Sequence, residues 1–168
     1  YIISDVDDRG IGGIEFTLEH GSDSSRIDLP VPGAHNAVNS SLAIAAGEVL
    51  GVTVGEAVKG LGKTELTGRR LRFIRGERLD VIDDTYNASP DSMKASVSVL
   101  SSMEGVKGRR IAALADMLEL GEKEREYHYE VGKFIAGTQV DEVAAYGELS
   151  EEILKAIEDN SARIVVKH

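Results

Sequence analysis

The segment 79–93 places a short apolar strand, a polar loop and a helix start in succession. Leu79 and Val81 belong to an apolar run of the kind that lies buried in a parallel sheet. Ser89 is suited to cap the following helix, and Pro90 suits its first position because the N–H that proline lacks has no partner there. Ligands collect beyond the carboxyl ends of strands in open parallel sheets, so this loop is a candidate site. Its polar side chains belong to Asp83, Asp84, Tyr86 and Asn87.

Strand and helix patterns alternate from residue 71 onward. The predicted strands lie near 71–75, 79–83, 110–114, 141–145 and 162–166, and the predicted helices near 90–103, 123–136 and 149–159. Such an order predicts an α/β fold with a mostly parallel sheet and right-handed crossovers.

Residues 1–31 alternate apolar and polar side chains, which predicts strands joined by a turn at 21–25. A helix is predicted to follow the segment 33–36 and to end at Gly51. The stripe expected to pack this helix on the core consists of Val38, Leu42, Ala45, Ala46 and Val49.

The pattern changes near Gly68, after a second short helix predicted at 54–61. We take this change as the boundary between a domain at 1–67 and the α/β domain at 68–168. Both ends of the sequence lie in strand-like runs, so we expect a piece of a longer polypeptide.

The composition excludes several classes of protein. Acidic residues outnumber basic residues 29 to 19, and the net charge of −10 argues against nucleic acid or an anionic membrane as the partner. The absence of cysteine rules out disulfides and thiolate chemistry. No apolar run approaches the roughly 20 residues that span a bilayer, and no signal peptide is visible. We expect a cytoplasmic protein.

The run from Gly60 to Thr64 resembles a phosphate-binding loop but lacks its pattern. A Walker loop needs a glycine where this chain has Ala57, and it follows a strand, whereas the segment before Gly60 is helical. The run is better explained as a helix end and a linker. ATP chemistry therefore requires a phosphate-binding loop from sequence outside this chain.

His35, Asn36 and Asn39 lie at the predicted start of the first helix, with the two asparagines on one face. Taken alone, they are explained by helix capping and a satisfied buried amide. The functional alternative is adenine binding, because a side-chain amide offers a donor and an acceptor that match N6 and N7. The spacing leaves both explanations open.

Arg69 lies at the predicted domain boundary, and Asp83 and Asp84 lie at a strand end. An arginine there is more often a solvated charge, and a loop aspartate is more often a turn former. The functional alternatives are a guanidinium that stabilises charge on nucleotide phosphates and a carboxylate that accepts hydrogen bonds from ribose hydroxyls.

A second polar loop, 115–122, follows the predicted strand at 110–114 and opens at the same edge of the sheet. Asp116 belongs to this loop. His128 lies in the next helix, where a single histidine is more often structural than catalytic.

Together these segments resemble the Mur ligases. They occur in family order and cover most of the chain from 33 to 147. The matching segments are Gly33-Ala34-His35-Asn36-Ala37-Val38-Asn39, Gly68-Arg69, Asp83 to Met93, Asp116 to Gly121, and His128 with Val131-Gly132. The first two are shared by several Mur ligases. The patterns Asp-Asp-x-Tyr-Asn-Ala-x-Pro and Met-x-Glu-Leu-Gly point to the branch that adds D-alanyl-D-alanine.

The resemblance implies an ATP-dependent peptide ligase of peptidoglycan precursor synthesis. In this reaction ATP, with Mg²⁺, phosphorylates the terminal carboxylate of UDP-N-acetylmuramoyl-tripeptide. The amine of D-Ala-D-Ala then attacks the acyl phosphate, which divides one difficult condensation into two easier steps. We expect a monomer that binds neither nucleic acid nor membrane.

The resemblance also implies residue roles. The residues implied to bind the nucleotide are His35, Asn36, Asn39, Arg69 and Asp84. The two asparagines would contact adenine, and Asp84 would contact the ribose. Arg69 would contact the phosphates and is the catalytic candidate. Substrate binding falls to Tyr86, Asn87, Asp116 and His128.

Some family features depart or are missing. Thr85, Ser89 and Ala115 stand where the family has Ser, Asn and Gly. The UDP-sugar domain, phosphate loop, magnesium ligands and modified lysine fall outside this sequence. We interpret 1–67 as the end of the central ATPase domain and 68–168 as most of a Rossmann-like C-terminal domain. The alternatives are a non-catalytic binding module and another ligase of the superfamily, such as a different Mur ligase or a folylpolyglutamate synthase.

Overall fold

The chain folds into two compact units, Tyr1–Asp83 and Asp84–His168. The structure is a computed structural model and describes residues 1–66 and 68–167. Thr67 and His168, at the limits of the predicted domains, lie outside the described residues. The domain boundary predicted near Gly68 stays a prediction.

The first unit begins with a three-stranded antiparallel sheet. Its strands, in spatial order, are β1 (Ile2–Asp8), β2 (Ile14–His20) and β3 (Asp23–Leu29). Alternation along β2 turns Ile14, Phe16 and Leu18 to the buried face, as the sequence pattern predicts. The turn predicted at 21–25 is shorter than expected, because β3 already begins at Asp23.

Helix α1 (His35–Val49) buries a different face from the predicted one. Its buried residues are Ala37, Ser40, Ser41 and Ile44. The predicted stripe is wrong, since Val38, Leu42 and Val49 are exposed. Apolar side chains occur on more than one side of this helix, and the small residues on the buried side allow a close approach to the sheet. The hydroxyl of Ser41 donates to the carbonyl of Ala37 (2.8 Å), which satisfies a buried polar group.

Helix α2 (Val54–Leu61) has the predicted limits. It starts with a reciprocal cap in which Thr53 Oγ1 accepts from the N–H of Glu56 (3.3 Å) and Glu56 Oε2 accepts from the N–H of Thr53 (3.0 Å). Hydrogen bonds from the hydroxyl and the backbone of Thr53 lower the pKa of Glu56. The sequence alone therefore determines where this helix begins.

Strands β4 (Arg72–Ile74) and β5 (Val81–Asp83) form an antiparallel pair. The buried parallel strand predicted at 79–83 is wrong, since Leu79 is 65% exposed and Val81 is 40% exposed. The link between the two strands is too short for the crossover of a dozen or more residues that parallel strands need.

The second unit combines three helices with a parallel sheet. Its elements are α3 (Pro90–Ser102), β6 (Ile111–Ala115), α4 (Glu124–Ala136), β7 (Glu142–Tyr146), α5 (Glu151–Asn160) and β8 (Val165–Lys167). The strands pair in the order β6-β7-β8, and both pairs are parallel. The alternation of strands and helices predicted for this part of the chain is confirmed.

Helices α4 and α5 approach each other closely at Gly132. A β-carbon at this position would lie 2.8 Å from Ala156 Cβ and 2.9 Å from the carbonyl carbon of Ile153. Val131 and Ile135, on the same side of α4, are fully buried in the core of the second unit. The absence of a side chain at Gly132 is therefore required by this packing.

Glu142 occupies the amino end of the parallel sheet, as the first residue of β7. It is buried and forms ion pairs with Arg109 Nη1 (2.6 Å) and with Lys167. The hydrogen bond from Lys167 lowers the pKa of Glu142, burial opposes this shift, and the charges of Lys167 and Arg109 add to it. Ligands of open parallel sheets bind at the other end of the strands, so this cluster is structural.

Within the described ranges, every helix is too short or too polar to cross a bilayer. The longest of them, α1, has 15 residues.

Candidate functional site

The loop after β5 leads into α3 as the sequence predicts. Ser89 Oγ accepts a hydrogen bond from the N–H of Ser92 (3.3 Å), and Pro90 is the first helical residue. Asp84 is half-buried, and its carboxylate accepts a hydrogen bond from the hydroxyl of Ser96 in α3. The carboxylate predicted to bind ribose is therefore oriented by the helix that follows it.

Tyr86 and Asn87 lie at the surface of the same loop. The side chain of Tyr86 is 65% exposed, which is unusual for a large aromatic residue in a folded unit. Exposed residues on a loop that a rigid helix positions are common in binding sites. The substrate contacts assigned to both residues stay predictions.

Asp116 connects the carboxyl ends of two neighbouring strands. It follows β6, and its Oδ1 accepts a hydrogen bond from the N–H of Ser150 (2.7 Å), just after β7. The carboxylate lies beside Gly147, which has a φ of +119°. A β-carbon at Gly147 would come within 2.5 Å of Asp116 Oδ2. The loop after β7 thus fixes the position of the Asp116 carboxylate, which is predicted to bind substrate.

His128 is fully buried and uses both ring nitrogens. Its Nε2 accepts a hydrogen bond from the N–H of Met117 (2.9 Å), and its Nδ1 lies 2.6 Å from the carbonyl oxygen of Glu124. These partners assign the neutral tautomer with the proton on Nδ1, because a carbonyl can only accept. Direct contact between His128 and a substrate stays a prediction, and the geometry gives the ring a structural task instead.

The loop that follows β6 presents two exposed side chains. Leu118 is 72% exposed, and Glu119 is exposed with a φ of +62°. A non-glycine residue in this backbone region is uncommon and persists where surrounding contacts hold it. A depression of about 220 Å³ lies at the carboxyl end of β7, where Gly147 adjoins Asp116 of this loop. This volume is below the roughly 300 Å³ at which pockets for small molecules begin. The depression is lined by Ala145, Tyr146, Gly147, Glu151 and Leu154.

The structure brings Asn36 and Asn39 together at the start of α1. Asn39 Nδ2 donates to Asn36 Oδ1 (3.0 Å), and Asn36 Nδ2 donates to the carbonyl of Pro32 (2.8 Å). The amide of Asn36 therefore ties the start of the helix to the preceding loop, but it does not cap the helix, because the N-cap residue is Ala34. Asn39 and His35 are exposed. The adenine contact stays a prediction for all three residues.

Asp8 is a residue that the sequence did not single out. Its carboxylate accepts hydrogen bonds from the N–H of Gly10 (3.0 Å) and the N–H of Ala34 (3.2 Å), so it fixes the loop that precedes α1. The spacing of Asp8 and Gly10 is typical of an Asx turn and signals the first bond. The second bond joins residues 26 positions apart and has no signal in the local sequence.

Arg69 is exposed and belongs to the first unit, whereas Asp84 belongs to the second. The joint action of the two residues on one nucleotide stays a prediction. The run from Gly60 to Thr64 forms the end of α2, where the N–H of Lys63 donates to Gly60 (3.0 Å) and that of Thr64 to Leu61 (3.0 Å). Because these amides bond to the helix end, they do not form a phosphate cradle, in agreement with the sequence interpretation.

The part of the chain that the structure describes holds no group of three or more His, Cys, Asp or Glu side chains placed to bind a metal ion. No catalytic step is therefore assigned to a metal held by the described residues.

Comparison with known proteins places this chain in a family. The family described as "Mur ligase, glutamate ligase domain" matches residues 69–168. The UDP-N-acetylmuramoyl-tripeptide--D-alanyl-D-alanine ligase of Bacillus subtilis (strain 168) is 41% identical over 138 residues, which are 82% of this chain and 30% of that protein. The ligase of the same name from Escherichia coli (strain K12) is 35% identical, over 86% of this chain and 31% of its own length. The chain thus spans about a third of the relatives that it matches.

Solved structures agree with this placement. A crystal structure of MurF from Acinetobacter baumannii has a TM-score of 0.84 and 29% identity, and the match covers 98% of this chain and 34% of that one. MurF from Thermotoga maritima in complex with ADP has a TM-score of 0.76, with 99% of this chain and 36% of that one covered. At 23% identity this second likeness shows the fold alone. The extent of the family match and the shared fold lead to one conclusion: the chain belongs to the Mur ligase family.

Proposed function

We propose that this chain works as part of an ATP-dependent ligase that joins D-alanyl-D-alanine to UDP-N-acetylmuramoyl-tripeptide in peptidoglycan precursor synthesis. The observation that carries the proposal is the 41% identity to the Bacillus subtilis ligase of that name, over 82% of this chain. The position of Asp116 just beyond β6 supports it, because ligands of open parallel sheets bind at the carboxyl ends of their strands.

The proposed reaction has two chemical steps. The terminal carboxylate of the tripeptide attacks the γ-phosphorus of ATP, which gives an acyl phosphate and ADP. The amine of D-Ala-D-Ala then attacks the acyl carbon, the tetrahedral intermediate expels inorganic phosphate, and the amine loses a proton as the amide forms. The described residues of this chain contribute binding and orientation to these steps.

The proposed nucleotide contacts follow the family resemblance. Asp84 accepts hydrogen bonds from ribose hydroxyls, and Ser96 holds its carboxylate in place. Arg69 meets the phosphates and stabilises the charge that spreads onto the transferred group. Asn36 and Asn39, with His35, contact the adenine.

Substrate binding uses the loops that follow β5 and β6. Tyr86 and Asn87 face the reaction cleft from the first loop, and Asp116 and His128 contribute to the second. In this proposal the ligands of Mg²⁺ and the phosphate-binding loop belong to sequence outside this chain. The enzyme acts as a monomer in the cytoplasm, where ATP and the UDP-linked substrate are both present.

The test is made on the full-length protein that contains this chain. An Asp84→Ala substitution is expected to weaken ATP binding by about tenfold to a hundredfold, because hydrogen bonds to a charged group contribute about 1.5 to 3 kcal/mol. Asp91→Ala is the matched control, since Asp91 is an exposed aspartate in the first turn of the same α3. Isothermal titration with a non-hydrolysable ATP analogue measures the affinity. An affinity unchanged by Asp84→Ala contradicts the ribose assignment.

The chain of 168 residues is expected to turn over ATP weakly or not at all when purified alone, because its sequence contains no Gly-x-x-x-x-Gly-Lys-Ser/Thr pattern. Phosphate release at saturating ATP measures the turnover. Robust ATP turnover by the isolated chain contradicts the proposal that the phosphate-binding loop lies outside it.

One observation favours a second candidate. The matching family is described as a glutamate ligase domain, which fits an enzyme that adds a single amino acid. Amide formation by the full-length protein with D-Ala-D-Ala and with glutamate, assayed side by side, decides between the two acceptors. Activity with glutamate alone replaces the first proposal with another ligase of the family.

A further inference from the structure

We propose that His128 is a positioning residue that holds the loop 116–121 in the shape needed to bind the amine acceptor. The inference rests on the proposed function, because it names the acceptor as the ligand of this loop. It also changes the role of His128, from a residue that touches substrate to one that acts through the backbone of Met117.

His128 is held in place by hydrogen bonds at both of its ring nitrogens. The ring is fully buried, so each of its nitrogens needs a partner. One partner, the carbonyl of Glu124, lies one turn earlier in α4. The other is the N–H of Met117 in the loop, at 2.9 Å. Met117 is itself fully buried, so its amide has no access to water in place of the imidazole.

A second anchor holds the same loop from the other side. The carboxylate of Asp116 accepts from the N–H of Ser150 at 2.7 Å, and the missing side chain of Gly147 leaves room for it. Residues 116 and 117 are therefore attached to α4 through one bond and to the start of α5 through the other. Two bonds in different directions fix both the position and the orientation of the loop.

Leu118 and Glu119 follow the two anchored residues and form an exposed part of the loop. Glu119 has a left-handed backbone with a φ of +62°. Such a conformation persists when neighbouring contacts determine it, and here the anchors at Asp116 and Met117 precede it directly. Loss of an anchor is expected to release this strained residue to ordinary backbone angles.

The chemistry of the exposed pair indicates the class of ligand. A carboxylate next to a leucine suits a ligand that combines an ammonium group with small apolar groups, as a dipeptide of alanine does. ATP is an anion, which the carboxylate of Glu119 repels. The loop is thus expected to affect the acceptor and not the nucleotide.

The test uses the full-length enzyme and compares His128→Leu with His128→Gln. Leucine fills the buried space without an acceptor, whereas glutamine keeps an oxygen that can accept from the N–H of Met117. We expect His128→Leu to raise the KM for D-Ala-D-Ala by about tenfold while the KM for ATP changes by less than about twofold. His128→Gln is expected to restore most of the acceptor KM.

Amide hydrogen exchange at Met117 reports the bond itself. Exchange is expected to be slow in the unaltered enzyme and in His128→Gln, and at least about tenfold faster in His128→Leu. Ile135→Val is the matched control, because Ile135 is equally buried in α4 but has no hydrogen bond to the loop. This control is expected to leave both the acceptor KM and the exchange at Met117 unchanged.

Equal changes in the KM values for ATP and acceptor, or failure of glutamine to rescue, overturn the proposal. If His128→Leu cannot be purified folded, His128→Met fills the same buried space with a flexible side chain whose sulfur is only a weak acceptor, and it is expected to give the same split between the two KM values. An unaltered enzyme that makes no amide from D-Ala-D-Ala refutes the proposed function instead. The exchange experiment still tests the anchoring when the enzyme makes no such amide. Unchanged amide exchange at Met117 in His128→Leu refutes the anchoring, and faster exchange supports it.

Discussion

The carboxylate of Asp116 fills the space beside the α-carbon of Gly147, so that a β-carbon at Gly147 would come within 2.5 Å of Asp116 Oδ2. The two residues directly follow the neighbouring parallel strands β6 and β7 and lie 31 positions apart in the sequence. Their contact, together with the bond from Asp116 to the N–H of Ser150, joins the loops at the carboxyl edge of the sheet. This relationship makes glycine a requirement of the candidate site.

A Gly147→Ala substitution is expected to lower the free energy of unfolding by about 2 kcal/mol or more, because it combines a strained backbone with displacement of Asp116. Urea unfolding of the purified chain measures the change. Gly105→Ala is the control, since Gly105 also has a positive φ, of +70°, but has open space around it. A double-mutant cycle with Asp116→Ala isolates the contact. Equal costs for Gly147→Ala with and without Asp116 contradict this account.

A Gly132→Ala substitution is expected to destabilise the second unit by about 2 to 3 kcal/mol, because the added methyl forces α4 away from α5. Gly137→Ala, at the end of the same helix, is the control, since its added β-carbon would lie at an ordinary 3.5 Å from the nearest atom. Thermal unfolding followed by circular dichroism compares the two variants. A Gly132→Ala protein as stable as Gly137→Ala shows that the helices can separate at little cost.

The ion pairs of Glu142 are expected to make stability depend on pH. The pKa of Glu142 in the folded protein lies below its ordinary value, chiefly through the hydrogen bond from Lys167. The stabilisation is therefore fully present above the unfolded pKa of about 4.3 and is lost as the pH falls through the folded pKa. We expect Glu142→Gln to be less stable than the unaltered chain at neutral pH, and the difference to shrink below about pH 4.

Urea unfolding at neutral and acid pH checks this prediction. Glu158→Gln serves as the control, because Glu158 is an exposed residue of α5 in the same unit. A stability difference for Glu142→Gln that stays constant across this pH range shows that shape, and not charge, explains its effect.

If the proposed function holds, an Arg69→Ala substitution in the full-length protein is expected to slow the phosphoryl-transfer step by about a hundredfold, the usual loss when one group that stabilises transition-state charge is removed. Single-turnover kinetics with saturating ATP measure this step. The neighbouring Arg70→Ala is the matched control and is expected to retain the rate within about twofold. Equal rates for the two variants count against a catalytic role for Arg69.

The local sequence predicts much of the second unit. Helix α3 begins at Pro90 behind a Ser89 cap, as expected, because capping uses side chains within three residues of one another. In the first unit, helix α2 begins at the predicted residue for the same reason. The parallel pairing of β6, β7 and β8 follows from the alternation of strands and helices, because each helix carries the chain back so that the next strand runs in the same direction. The family resemblance rests on the same local patterns.

The sequence by itself therefore determined where most helices begin and that a parallel sheet forms, since both depend on neighbours along the chain. Only the tertiary structure decided which face of α1 is buried, because Val38 and Ile44 are equally apolar and packing chooses between them. It also decided the hydrogen-bond partners of Asp116 and His128. Their partners, Ser150 and Met117, lie 34 and 11 residues away, and no local pattern specifies a hydrogen bond across such a distance.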